Sequence, residues 1–354
     1  MEVKVNADMG EKRMFMSWKS ETNPAVGNFC LGVDPLGAVQ IIIWNGDKRW
    51  WRSGHWDRQI FSGIPTMRST TLYGFKVLPD SENNISVTFH ALNDSDKLKF
   101  QIRWDGKEAQ QRWNEVNRKW ETVRLLPSHD CDFYNFCGDF GVCSETSRVK
   151  CSCPQGFTPK NIDRWDGCER RTPLLQQRMN SSQNGTIEDS EEDGFVAVPF
   201  VKLPDFISGV FVVDSCRDRC LNSSSCVAYS DAPGIGCVTW DGPLIDIQKF
   251  DGVGNTLNIR LAHSDLRAAA AGIAILALLI WKFRGIREGS PAAASSKPQN
   301  KAEVPMFDLS KSGEFSVQTK IEQGGLSLSS SFSVMEVYRV GAFAASKTSS
   351  DLDC

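Results

Sequence analysis

What this sequence lacks bounds it first. Lys and Arg number 40 against 43 Asp and Glu, a formal net charge of −3, so there is no basic footprint and nucleic acid is excluded as a partner. Histidine is scarce: His55, His90, His129 and His263 stand far apart, with no G-x-S-x-G or comparable nucleophile motif beside them. Together these absences argue against hydrolytic catalysis, and the sequence offers no catalytic residue, cofactor site or metal site. No apolar stretch follows the polar start Met1-Glu2-Val3-Lys4-Val5-Asn6, so a secretory leader is not expected there. Only one long apolar run exists, Ala268 to Trp281.

Cysteine, by contrast, is plentiful and uneven. Ten of the twelve fall between Cys131 and Cys237, leaving Cys30 and Cys354 outside. Such density reads either as zinc ligands or as a disulfide framework. Zinc modules bring C-x2-C knuckles or paired His; this span has no C-x2-C, and His129 stands outside the pattern. Disulfides, and hence an oxidising compartment, follow. Five sequons at Asn84, Asn93, Asn180, Asn184 and Asn222 all precede the apolar run and fit a glycosylated luminal surface. A disulfide-built, glycosylated chain without an export signal is inconsistent, so an incomplete gene product is expected.

Periodicity in residues 28–126 is that of β structure. Val39-Gln40-Ile41-Ile42-Ile43-Trp44 is a β-branched run closed by the turn pair Asn45-Gly46. Ile85–Phe89 and Leu98–Trp104 alternate with period two. Asp105-Gly106 is a further turn, followed by short strands at Gln111–Trp113 and Lys119–Glu121. Residues 127–168 are loop-rich. A polar linker follows, whose Asp189, Glu191, Glu192 and Asp193 read as a solvated face. Asp214 to Asn222 is expected to form a short helix placing Cys216 and Cys220 on one face. Thr256–Leu261 alternates as a closing strand.

The apolar run reaches roughly 21 Å at 1.5 Å per residue, short of the roughly 30 Å hydrocarbon core. Flanking Arg267 and Lys282 extend it by snorkelling. It reads either as a weak anchor over residues 267–284 with a cytoplasmic C-terminus or as a buried core helix. Residues 285–354, rich in Ser, Ala and Lys, read as a disordered tail. Cys30 has no evident partner and is either a free thiol or half of an intermolecular bridge. Cys354 is not part of a prenylation box.

Three motifs carry a resemblance. Cys131-x5-Cys137-x5-Cys143-x7-Cys151-x-Cys153-x14-Cys168, with Gly156-Phe157, resembles an EGF-like domain, although six cysteines by themselves allow fifteen pairings. Cys216-x3-Cys220-x5-Cys226-x10-Cys237, with Val227-Ala228-Tyr229 and Gly236-Cys237-Val238-Thr239-Trp240, resembles a plant PAN/apple domain. Ile43-Trp44-Asn45-Gly46, Trp50-Trp51-Arg52-Ser53-Gly54-His55-Trp56, Phe61-Ser62-Gly63-Ile64-Pro65, Trp104-Asp105-Gly106 and Trp120 resemble the S-locus glycoprotein signature. In this order the array is similar to the ectodomains of plant G-type lectin S-receptor-like serine/threonine kinases.

The resemblance implies the bridges Cys131–Cys143, Cys137–Cys151, Cys153–Cys168, Cys216–Cys237 and Cys220–Cys226. Two further cysteines usual in PAN relatives are replaced here by Gln176 and Ser224. The acidic and amide pattern of calcium-binding EGF domains is missing before Cys131. The implied fold is mainly β and multidomain. Residues 1–27 read as the end of a preceding lectin module, 28–126 as an S-locus domain and 127–168 as EGF-like. Residues 169–193 are a linker, and 194–262 a PAN/apple module of β structure with one short helix.

Most of the tryptophans read as core, with Arg52 stacked between Trp50 and Trp56. No Gly-rich loop, His-Arg-Asp or Asp-Phe-Gly occurs after residue 285, so the kinase of such relatives is missing and no catalysis is expected. Three expectations about function follow from the resemblance. One is recognition of an extracellular peptide or protein ligand at a plasma membrane, in a single-pass type I arrangement. Another is pairing with itself or with related receptor kinases, in the setting of pollen recognition and defence signalling. The alternative is a fragment of an active receptor kinase.

Overall fold

In the amino-terminal region the strand pairs among the described residues are all antiparallel, in keeping with the alternating pattern. The computed structural model describes residues 2–6, 11–34, 38–68, 73–81, 84–91, 95–161, 165–181 and 192–267. Eleven strands come first: β1 (Glu2–Asn6), β2 (Glu11–Arg13), β3 (Phe15–Trp18), β4 (Val26–Asp34), β5 (Gln40–Asn45), β6 (Lys48–Arg52), β7 (Tyr73–Ser81), β8 (Asn84–Ala91), β9 (Leu98–Ile102), β10 (Glu108–Asn114) and β11 (Lys119–Leu126). They form three antiparallel sheets, ordered β3-β4-β5-β6, β2-β1-β8-β7 and β11-β10-β9. Residues before 28 are part of this body: β1 pairs with β8 and β3 with β4.

The apolar run of β5 is continuous because both of its faces are covered. Ile41 and Ile43 enter a core with Val3, Leu31, Trp51, Phe61, Val87 and Ile102. Ile42 and Trp44 point the other way, onto Cys30 and Met14. Burying side chains of this size contributes about 1.5–3 kcal/mol each. The hairpin to β6 is closed by the two residues Gly46-Asp47, with Gly46 at φ +60°. Glycine takes that conformation without the Cβ penalty.

The next four strands are short: β12 (Val142–Ser144), β13 (Cys151–Ser152), β14 (Phe157–Pro159) and β15 (Cys168–Arg170). The structure bridges Cys131 to Cys143, Cys137 to Cys151 and Cys153 to Cys168. The sulfurs of Cys137, Cys143 and Cys151 lie within 4.8 Å of one another because the first two bridges pack side by side. Each is oxidised, so this cluster offers no thiolate.

Helix α1 (Leu175–Ser181) then lies within the expected linker, followed by β16 (Gly194–Lys202), β17 (Gly209–Phe211), α2 (Cys216–Leu221), β18 (Ala228–Ala232), β19 (Gly236–Trp240), β20 (Ile247–Lys249) and β21 (Asn255–Leu261). The expected helix around Cys216 and Cys220 is α2. Ser215 caps it, its hydroxyl accepting from the Asp218 N–H. Cys216 and Cys220 face Tyr229, and the structure bridges Cys216 to Cys237 and Cys220 to Cys226.

The segment bearing the first three bridges and the region after it share one sheet, ordered β13-β12-β20-β16-β21-β18-β19-β17. Parallel pairing of β12 with β20 sets Val142 opposite Ile247. They also share a core, in which Val142, Phe157 and Cys168 pack with Trp240, Leu244, Ile247 and Leu257.

Two expectations change. Cys30 is fully buried and disulfide-bonded, so the free-thiol reading is wrong. Asp193 is not a solvated linker residue: it is 5% exposed, pairs with Arg260 at 3.1 Å and accepts the Leu175 N–H. Gln176 and Ser224 are both exposed. Among the described residues no helix is long and apolar enough to cross a membrane. The run 268–281, the tail 285–354, Asn93 and Asn184 lie outside the described residues.

Candidate functional site: a buried polar junction

The motif Trp50–Trp56 occupies β6 and the turn after it, where three parts of the chain converge. Period two sends Trp51 inward, leaving it 3% exposed. Trp50 stands edge-on to Phe29 at 5.4 Å and to Phe133 at 5.0 Å, and its carbonyl accepts the Tyr134 N–H at 3.0 Å. The first cysteine segment is thereby fastened to β6.

Arg52 does not stack between Trp50 and Trp56. Its side chain is fully buried. Nε donates to Asp246 Oδ2 at 2.6 Å, and Nη2 donates to the carbonyls of Leu203 and Asp246 at 2.6 and 2.8 Å. A guanidinium taken out of water needs acceptors for its several donors, and ring faces supply few. The stacked cation is instead Arg49, 4.6 Å from the Phe206 ring centroid and 6.0 Å from that of Tyr134.

Around these two arginines lies a polar network. Arg49 pairs with Asp34 at 2.8 Å and Asp205 at 2.6 Å. Gln40 donates to Asp205 at 2.7 Å, and the Tyr134 hydroxyl donates to the same carboxylate at 2.8 Å. Lys202, 1% exposed, pairs with Asp246 at 2.9 Å. Gln248 donates to Asp132 at 3.0 Å. Asn135 and Asp246 hold each other reciprocally: the Asn135 N–H donates to Asp246 Oδ1 at 3.0 Å, and the Asp246 N–H donates to Asn135 Oδ1 at 3.2 Å. Both have left-handed backbones, at φ +51° and +62°.

Electrostatics follow from burial opposed by pairing. Burial would raise the Asp205 carboxyl, but Arg52 and Arg49 hold it well below the usual range. Asp246 is likewise lowered: burial opposes, and Lys202 and Arg52 prevail. His55 is driven to about 3, first by burial and then by Arg52. It is therefore a neutral core residue, and its carbonyl accepts the Ser62 N–H at 3.0 Å. Nothing in this arrangement is a nucleophile beside a base. The chemistry is cohesion, with cations and carboxylates from distant segments fixing one mutual geometry.

Sequence-expected glycosylation positions are scattered. Asn222 is exposed at the C-terminal end of α2, Asn180 falls in α1, and Asn84 begins β8 with 9% exposure. Asn135, Asp205 and Asp246, central to the junction, belong to no motif read from the sequence. The one available signal was a carboxylate within an apolar stretch, as at Asp246 between Ile245 and Ile247.

Comparison with known proteins places this geometry. Residues 51–161 match the S-locus glycoprotein domain and residues 189–247 the PAN-like domain. The chain is similar to G-type lectin S-receptor-like serine/threonine-protein kinases. One such protein of Arabidopsis thaliana is 40% identical over 338 residues, covering 89% of this chain and 39% of its own length. Another from the same plant is 32% identical over 358 residues, covering 91% of this chain and 43% of its own. The chain thus spans less than half the length of these relatives. The junction unites the two matched regions: Arg52 lies in the S-locus match, with Arg49 two residues before it, and Asp205 and Asp246 lie in the PAN-like match.

Proposed function

We propose that the chain is the extracellular recognition portion of a receptor-like protein. In this reading it binds a peptide or protein ligand outside the plasma membrane and pairs with itself or with related receptor kinases. The observation that carries the reading is the buried junction. Modules joined by flexible linkers present independent surfaces, whereas Arg49, Arg52, Lys202 and their carboxylates hold S-locus, EGF-like and PAN-like parts as one preorganised surface. Rigidity before binding lowers the ordering cost of association. The five bridges among the cysteines from Cys131 to Cys237, and glycans at Asn84, Asn93, Asn180, Asn184 and Asn222, belong to the same extracellular reading. Apolar residues 268–281 are its membrane anchor, in a single-pass type I arrangement. Pollen recognition and defence signalling are its expected settings.

Co-precipitation from plant membranes tests this reading. The tagged chain is expected to retain full-length relatives, and to lose them when Arg52→Met unlocks the junction. Failure to retain any relative, with or without extracellular fluid as ligand source, overturns it. A second reading, a portion of an active serine/threonine kinase, is favoured by the share of the relatives that the chain spans. A transcript continuing past Cys354 into a Gly-rich loop and His-Arg-Asp would establish that reading.

A further inference from the structure

The sheet β11-β10-β9 sends Phe100 and Ile102 from one face into the core. Alternation puts Lys97, Lys99, Gln111, Trp113, Trp120 and Thr122 on the other face. Gln111 stands opposite Lys99 and Thr122, and Trp113 opposite Trp120. The two indoles meet edge-on at 5.5 Å, and Lys99 Nζ lies 6.0 Å from the Trp120 ring centroid. Trp120 is 39% exposed, a large ring left at the surface on an edge strand.

Charge is the second observation. Between Ser95 and Leu126 eight Lys and Arg stand against five Asp and Glu, in a chain whose net charge is −3. The acids beside the tryptophans are already engaged. Glu115 accepts from Lys97 at 2.6 Å, and Glu121 accepts from Asn114 and Asn117 at 2.9 and 3.1 Å. Lys99, Arg118 and Lys119, all exposed, form no ion pair among the described residues. Arg118 and Lys119 immediately precede Trp120, at the same end of the sheet. Arg118 sits in the β10–β11 turn at φ +50°, a left-handed backbone that a side chain of its size seldom occupies. A cation is thus held where glycine or asparagine is the ordinary occupant.

We propose that this end of the sheet binds an acidic polysaccharide, a polymer of pyranose rings bearing carboxylates. One ring lies flat on Trp120, its C–H bonds against the negative face of the indole. Carboxylates on neighbouring rings pair with Lys99, Arg118 and Lys119. An acidic peptide would use the cations but has no need of a flat aromatic platform, so the tryptophan pair favours the sugar. The proposal rests on the extracellular placement in the recognition reading and adds a second kind of ligand to it.

The full chain, produced in an oxidising secretory host, is titrated calorimetrically with a decamer of galacturonic acid, with the same decamer fully methyl-esterified, and with polyglutamate of matching charge. Saturable binding of the free acid and none of the ester is expected, weakening as salt is raised. Lys99→Gln combined with Arg118→Gln should weaken it at least tenfold at unchanged melting temperature. Trp120→Ala should weaken it as much. Lys249→Gln, which removes one exposed charge from β20, should leave it unchanged. No saturable binding, binding undiminished in the double variant, or an equal loss in Lys249→Gln overturns the proposal. Polyglutamate binding as tightly as the decamer overturns the carbohydrate assignment. The wider reading is judged separately, by co-precipitation with relatives. Pairing retained without decamer binding sinks the sheet site alone, and loss of pairing sinks the recognition reading.

Discussion

Arg52 and Asp246, 194 positions apart in sequence, meet at 2.6 Å inside the protein, with their side chains 0% and 3% exposed. Lys202 shares the same Asp246 oxygen at 2.9 Å. A buried pair of this kind adds little net stability over a well-packed apolar replacement, because both charges must be desolvated. Its consequence is registry: only one docking of the two regions satisfies both partners.

Removing one partner is therefore expected to cost far more than removing the set. Asp246→Asn leaves Arg52 and Lys202 buried without their shared carboxylate. It should destabilise by about 3–5 kcal/mol in a urea titration. Arg52→Met alone should cost a similar amount. The double variant Arg52→Met with Asp246→Leu should recover part of that loss. Strictly additive costs in the double variant would show that the two residues do not act on each other.

Acid should open the same junction. The carboxyls of Asp205 and Asp246 are lowered in the folded protein, so they contribute stability that is fully present above the ordinary aspartate range. That contribution is lost as pH falls through that range and below it, where the unfolded chain binds protons that the folded one refuses. Melting temperature measured from neutral pH downward should fall accordingly. Asp205→Asn should start lower at neutral pH and show a shallower fall. An unchanged slope in that variant would contradict the assignment.

The Asn135–Asp246 clasp makes a sharper demand. Asn135 holds φ +51°, a conformation that costs roughly 1–2 kcal/mol for residues other than glycine, asparagine and aspartate. Asn135→Ala should suffer that cost and also strand the Asp246 N–H, for a total of about 2–4 kcal/mol. Asn135→Gly loses the side-chain half of the clasp but keeps the backbone N–H bond to Asp246 and the backbone conformation, and should lose about 1–2 kcal/mol less. Denaturant midpoints of the two variants decide the point. Equal losses would mean that the left-handed backbone is unimportant there.

The contrast between these residues and those read from sequence has a physical cause. Period-two alternation and turn glycines report local backbone geometry, which is why β5, β8, β9, β21 and the turns at Gly46 and Gly106 were legible. The short helix α2 was legible from cysteine spacing. Pairing of β12 with β20, and the meeting of Arg52 with Asp246, join residues more than a hundred positions apart and leave no periodic trace. The stacking expected of Arg52 followed from its neighbours in sequence, while the acceptors that desolvation demanded came from another region. Asp193 misled in the same way, its polar surroundings in sequence concealing Arg260.

Glu108 supplies a pH dependence of opposite sign. It is 2% exposed among Leu31, Trp51, Phe61 and Phe100. Burial raises its carboxyl above the ordinary glutamate range, and the opposing pull of Arg124 at 3.6 Å and of Gln110, donating at 2.7 Å, does not cancel it. Below the ordinary range both folded and unfolded chains hold the proton, so the site is neutral toward stability. As pH rises through the gap between ordinary and raised values, the unfolded chain releases its proton first and gains an advantage. Stability should therefore decline toward neutral pH from this residue, while Asp205 and Asp246 impose the decline on the acid side. Glu108→Gln keeps the shape and the contact with Gln110 without the titration. It should leave stability unchanged in acid and raise it at neutral pH, as read by melting temperature across the range. A variant destabilised equally at every pH would mean that the Arg124 contact, and not desolvation, governs the site.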